Sequence, residues 1–209
     1  MSRVRHIKKN PSGINYFLVD ACFLANRYLP THNLSNHERE RVEKCQRWWQ
    51  EISIQQEKKK AIVYIPDICI AEEFKVLAQK YYKERVFSSP VRYGIAKKKL
   101  SGDITVSIKT LKACSRPIKF HDISTSLDII ISVDRFLEVF MKNNLKVSVP
   151  DLIVLAIAKY LMDFFRIPRH NLFIITMDKN LHTGSRSFPY IPRAFDRTNS
   201  NERAEKIFI

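Results

Sequence analysis

Glycine is almost missing from this chain, with four residues in 209. None of them falls in a G-x-G-x-x-G or G-x-x-x-x-G-K-[ST] pattern, so the sequence holds neither a dinucleotide-binding turn nor a phosphate-cradling P-loop. A serine nucleophile elbow is absent too. Cys22, Cys45, Cys69 and Cys114 are widely spaced with no CxxC pair, which excludes a thiolate zinc site of the usual kind. The six histidines include no HExxH, and His121, His170 and His182 read as surface or loop positions. No apolar run approaches the ~20 residues of a membrane span, so no membrane partner is expected. There is no internal repeat and no low-complexity tract.

Acids are scarce as well: 21 Asp and Glu stand against 36 Lys and Arg, a net charge of +15. Such an excess favours a polyanionic partner, nucleic acid before an anionic membrane surface. Hydrophobic residues make up 45%, enough for a folded domain with a sizeable core. Arg3, Arg5, Lys8 and Lys9 precede an apolar run, as in a signal peptide. Asp20 interrupts that run and no A-x-A-like cleavage site follows Asn26, so a signal sequence is not expected. Cys22 and Cys69 lie in apolar surroundings and read as reduced core residues, consistent with a cytoplasmic location.

Along the chain, residues 1–12 form a basic N-terminal arm. Ile14–Val19 is an apolar run that reads as a strand buried on both faces, and Asp20 follows directly. A short helix over Ala21–Leu29 stops at Pro30. Ser35 or Asn36 caps a helix to about Gln56, with Val42, Cys45, Trp49 and Ile52 on one face. Trp48 and Trp49 are adjacent, so one is expected in the core and the other over a neighbouring element or against a base, with core or partial surface cover the expected role for both. Ala61–Ile65 is a second buried strand. Pro66 and Asp67 start a helix that carries Glu72 and Glu73 in its second turn. Phe87–Pro117 is a basic helical or mixed insertion. Ile118–His121 reads as a short strand, and Ser124 or Thr125 opens a helix ending near Asn143. Ser148 and Pro150 start another helix. Leu172–Thr176 is a third buried strand followed by Asp178, and Lys206–Ile209 reads as an edge strand. Strands alternating with helices imply an α/β fold with a mostly parallel sheet.

Asp20 and Asp178 each follow a buried strand, Asp151 lies in a first helical turn, and Glu72 sits on the helix after the second strand. In a doubly wound sheet such positions share one edge, so the four acids are expected to converge. Crowded carboxylates repel one another and titrate late. Hard divalent cations such as Mg²⁺ or Mn²⁺ relieve that cost. Two of them roughly 3.5–4 Å apart serve phosphodiester hydrolysis. Each acid also has a purely structural use: strand-end turn for Asp20 and Asp178, helix-dipole partner for Asp151, and surface charge for Glu72 with Glu73 turned inward. A haloacid-dehalogenase-type phosphatase would need a second Asp two residues after Asp20, where Cys22 stands.

Four segments resemble the PIN domain, a fold of metal-dependent ribonucleases that includes toxins of toxin–antitoxin pairs. They are Phe17–Leu24, Ile65–Glu72, Ser148–Ala158 and Ile174–Asp178. The resemblance implies a three-layer α/β/α PIN-like fold over residues 13–209, with insertions at about 31–60 and 87–117. It implies Asp20, Glu72, Asp151 and Asp178 as an acidic quartet for Mg²⁺ or Mn²⁺, with Thr176 as a hydroxyl near the last acid that supports water or a carboxylate. The activity implied is endonucleolytic cleavage of RNA, more than of DNA, leaving 5′-phosphate and 3′-hydroxyl ends. The partners implied include an antitoxin protein and a second copy of the chain. The alternative is a non-catalytic PIN-like module that binds RNA or protein in an RNA-processing assembly.

Overall fold

A computed structural model describes residues 13–109 and 120–196, with backbone alone over 105–109. The basic arm 1–12, Cys114 and the expected edge strand Lys206–Ile209 lie outside the described residues. In chain order the elements are β1 (Asn15–Val19), α1 (Ala21–Ala25), α2 (Asn36–Glu57), β2 (Ala61–Pro66) and α3 (Asp67–Tyr82). They continue with α4 (Pro90–Lys109), β3 (Phe120–Ile123), α5 (Leu127–Lys142), α6 (Val149–Asp163), β4 (Leu172–Ile175), α7 (Lys179–Gly184) and β5 (Ala194–Phe195).

The five strands form one sheet in the order β3-β2-β1-β4-β5, and every described pairing is parallel. Helices cover both faces, giving three α/β/α layers. Apolar runs explain why the inner strands lie in the middle: Phe17, Leu18 and Val19 of β1 and Ile174 and Ile175 of β4 are fully buried. A parallel sheet places all strand C-termini on one edge, so the residues after β1, β2 and β4 start their helices side by side. Among the described residues, no helix is long and apolar enough to cross a membrane.

Both tryptophans belong to the core, each 2% exposed, so neither is left to stack on a base. Trp48 meets Phe17 and Phe23 edge-on, at centroid distances of 5.4 and 5.0 Å. Trp49 meets Phe120 at 5.8 Å and Trp48 itself at 4.8 Å. The 100° step between neighbouring helical positions lets two large rings spread across one wide face instead of one line. Residues 36–57 thus form part of the main core. A second, smaller cluster joins Leu34 and Val42 to Leu77 of α3, Val86, Phe87, and Ala96 and Leu100 of α4.

Two further expectations shift. The cap of α5 is Ser126, whose Oγ accepts from the Ile129 N–H at 3.4 Å. Thr125 is committed elsewhere, since its N–H donates to Asp67 Oδ2 at 2.9 Å and its hydroxyl donates to Asp67 Oδ1. Cys22, expected inside, is exposed, while Cys45 and Cys69 are buried. It is the second residue of α1, a helix whose Ala21, Phe23 and Leu24 take the inward positions.

Gly184 closes α7 against α5. A Cβ there would stand 2.2 Å from Cζ of Phe140, which is fully buried. Gly184→Ala is expected to overpack this contact by about 1–3 kcal/mol and lower the melting temperature by about 2–10 °C. Thermal unfolding followed by circular dichroism checks this; an unchanged midpoint would show that the ring moves freely.

Candidate active site

The recess at the sheet's C-terminal edge is built by chain turns that need capping. Asp20 follows β1 and caps α1, its Oδ1 accepting from the Phe23 N–H at 2.8 Å. Asp178 follows β4 and caps α7 in the same way, with Oδ1 accepting from the Leu181 N–H at 2.8 Å. Asp151 closes a capping box at the start of α6. Its Oδ2 accepts from the Ser148 N–H at 3.1 Å and the Ser148 hydroxyl at 2.6 Å. Glu72 projects from α3. Asp20, Glu72, Asp151 and Asp178 all line a single cavity of about 180 Å³, together with Cys22, Ser148 and Pro150.

Thr176 stands behind this wall, fully buried. Its hydroxyl donates to Asp20 Oδ2 and accepts from the Asp178 N–H at 2.9 Å. One side chain therefore joins the ends of β1 and β4 and sets the Asp20 carboxylate. Thr176 does not line the cavity.

Burial dominates the electrostatics. It pushes the Asp20 carboxyl up to about 7; the bonds from Thr176 and Phe23 oppose this, and the charges of Asp151 and Asp178 add to it. Burial also raises Asp151 against the pull of the Ser148 bonds, with Asp178 adding to the rise. Glu72 is raised by burial and by Asp151, with Lys75 opposing. Carboxylates that charge reluctantly for these reasons are suited to a cation.

The fit to a divalent ion is one of donor chemistry: four carboxylates and the Ser148 hydroxyl, all hard oxygen ligands, in one small cavity. The geometry is less converged. Among the described residues, no three His, Cys, Asp or Glu side chains stand close enough together to hold an ion as they are. The reason is visible in the caps, because both Asp20 oxygens and Asp151 Oδ2 already accept hydrogen bonds. Gathering three carboxylates on one ion would require some of them to turn.

Glu73 is turned inward, as the structural alternative for this pair had it, while Glu72 lines the cavity and is not simple surface charge. Glu73 is fully buried and faces away from the cavity, and neither oxygen has a hydrogen-bond partner among the described residues. Burial holds its carboxyl well above the usual range, opposed by Arg27 and reinforced by Asp103. Arg27 itself pairs with Asp103 at 3.2 Å and lies 5.5 Å from the Trp49 ring centroid. An i, i+1 pair of acids in a buried helix cannot face one cavity, and that was the available signal.

These shifts set a pH dependence. An acid whose pKa is higher folded than unfolded keeps its proton in the native state after the unfolded chain has released it. For Asp20 that window runs from the unfolded value of 3.8 up to about 7, and stability falls as pH rises through it. In chelator, the melting temperature of the wild type is expected to fall from pH 5 to pH 7.5 more steeply than that of Asp20→Asn. Parallel profiles would show that the carboxyl is better solvated than its burial implies.

No family model matches the chain, and no curated protein does. Among solved structures, it is similar to FitAcB from Neisseria gonorrhoeae with a TM-score of 0.52 at 14% identity, over 87% of this chain and 97% of that one. VapBC2 from Rickettsia felis, solved bound to a DNA fragment from their promoter, gives a TM-score of 0.47 at 13% identity, over 87% and 99%. VapBC-1 from nontypeable Haemophilus influenzae gives 0.47 at 12% identity, over 88% and 99%. At these identities the likeness is one of fold.

Proposed function

We propose, from a PIN-like fold that gathers four carboxylates in one recess, that the protein is a Mg²⁺- or Mn²⁺-dependent endoribonuclease. The observation that carries this reading is the shared cavity of Asp20, Glu72, Asp151 and Asp178, drawn from four separated stretches of a chain with net charge +15. A strand-end turn or a helix cap needs one acid, and no structural role needs four at one place. Asp20, Asp151 and Asp178 would hold the ion, and Glu72 would bind it or orient a water. A bound divalent ion supplies an activated water and stabilises the leaving oxygen of a phosphodiester. Thr176 keeps Asp20 fixed toward the recess. The lysines and arginines of the insertions would hold the RNA backbone, so affinity falls as salt rises.

A second reading has its own observation. As they stand, Asp20 and Asp178 each cap a helix, Asp151 closes a capping box with Ser148, and among the described residues no three carboxylates converge. A non-catalytic PIN-like module binding RNA or protein would look like this. Cleavage of end-labelled RNA in Mn²⁺ or Mg²⁺, stopped by chelator, separates the two; RNA binding with no cleavage under either ion supports the module. Within the nuclease reading, a toxin role with an antitoxin partner predicts growth arrest on expression, while unimpaired growth with active protein points to RNA processing.

A further inference from the structure

Where α3 hands over to α4, three tyrosines meet. Tyr81 and Tyr93 stack face to face at 4.6 Å with an 8° tilt, and both pack on the smaller hydrophobic cluster. Their burial accounts for them. Tyr82 has no such account. It meets the other two edge-on at 4.7 and 6.0 Å, contributes to neither hydrophobic cluster, and is 72% exposed.

The sequence around this ring is basic. Between Phe74 and Leu100 the sequence has eight Lys or Arg and a single acid, Glu84. Glu84 is already paired with Lys80 at 2.5 Å. Lys97 Nζ lies 5.3 Å from the centroid of Tyr93, and Lys83, Arg85 and Arg92 are exposed nearby in the chain. An exposed aromatic ring among cations is the arrangement that holds unpaired bases, with stacking on the ring and the phosphates on the lysines and arginines.

The position relative to the recess fits as well. Glu72 and Tyr82 are ten residues apart on α3, about 15 Å along its axis. Lys75 and Tyr82 are seven apart, so they fall on one line of the helix, beside the line that Glu72 occupies. Lys75 is exposed and close enough to Glu72 for its charge to act on that carboxyl. Acid, cation and ring thus follow one another along one side of a helix that starts at the recess.

We propose that Tyr82 is a base-stacking platform for single-stranded RNA, where a strand that crosses the acidic recess leaves along α3, its backbone held by Lys75 and Lys97. Duplex RNA keeps its bases stacked inside the helix and offers no free face to the ring. A protein partner would also use an exposed tyrosine, but a surface with this surplus of one charge favours a phosphate backbone. The path from the recess rests on the nuclease reading; the stacking itself does not.

The test is fluorescence anisotropy with a labelled, unstructured RNA of about fifteen nucleotides, in chelator so that nothing is cleaved. Tyr82→Ala is expected to weaken binding about 5- to 150-fold, the range for loss of one stacked base, while Tyr82→Phe stays within about twofold of wild type. Lys75→Gln and Lys97→Gln are each expected to reduce the salt dependence of binding; Tyr82→Ala is expected to leave it unchanged. A duplex of the same length should bind equally to wild type and Tyr82→Ala. Affinity of Tyr82→Ala within twofold of wild type, or equal loss on duplex and single strand, overturns the platform. Tyr82-dependent binding by a protein that cleaves nothing would support the platform while removing the nuclease reading; cleavage by a protein indifferent to Tyr82→Ala would do the opposite.

Discussion

Asp20→Asn protein is expected to fold, to melt at least as high as wild type in chelator near pH 7.5, and to cleave RNA at least about a hundredfold more slowly. Asparagine is as good a helix cap as aspartate, so the bond from the Phe23 N–H is kept. Its amide nitrogen then stands where Oδ2 stood and donates to the Thr176 hydroxyl, which turns from donor to acceptor. What disappears is a charge that burial resists, with a carboxyl pushed up to about 7. The same substitution removes one of the anionic ligands that a divalent ion would need, so the stabilisation by added Mn²⁺ should shrink along with the rate. The measurements are a cleavage time course and melting curves with and without Mn²⁺. Cleavage at the wild-type rate would end the assignment of Asp20. A variant that is inactive and also strongly destabilised would mean that the carboxylate serves the fold more than the chemistry.

Trp49→Ala should be the most damaging single change to stability among the core positions, costing about 3–5 kcal/mol and lowering the melting temperature by about 6–20 °C. The indole touches rings from α1, α2 and β3 at once: Phe23 at 5.9 Å, Trp48 at 4.8 Å and Phe120 at 5.8 Å. It also lies 5.5 Å from the guanidinium of Arg27, a contact worth about 0.5–2 kcal/mol when partly desolvated. Alanine would leave a void between these elements and enlarge the neighbouring cavity of about 490 Å³ that Trp49 and Arg27 already line. Urea unfolding measures the loss, and Trp49→Phe should recover more than half of it. A cost below about 1 kcal/mol would show that Trp48 alone carries the packing between α2 and the sheet.

The parts of the fold that a reader of the sequence can see are those with one dominant cause. Phe17–Val19 and Leu172–Ile175 are apolar on both faces, and only a central parallel strand buries both faces. Ser148, Pro150 and Asp151 hold the signals of a helix start, and the capping box is where they place it. The layered sheet follows, and with it the common edge where four acids line one cavity. The parts that stayed hidden depend on choices between near-equals. Ser124, Thr125 and Ser126 can all cap a helix, and the tie is broken by Asp67, which lies 58 positions earlier and claims Thr125. β5 is two residues long, Ala194–Phe195, and exists because β4 offers it an edge, not because of its own pattern. Glu72 and Glu73 are chemically identical neighbours; only the rotation of α3 sends one to the recess and the other into the interior beside Arg27. Cys22 reads as apolar from its neighbours, but the short α1 turns it outward.

The bond between Thr176 and Asp20 joins positions 156 residues apart. A ribosome must therefore deliver nearly all of the described chain before the two strand ends can meet, and until then the partners of that bond are separated by unfinished polypeptide. Truncated translation products ending before β4 would contain Asp20, Glu72 and Asp151 without the strand that anchors them. The recess is thus one of the last parts of the described chain to be completed during synthesis.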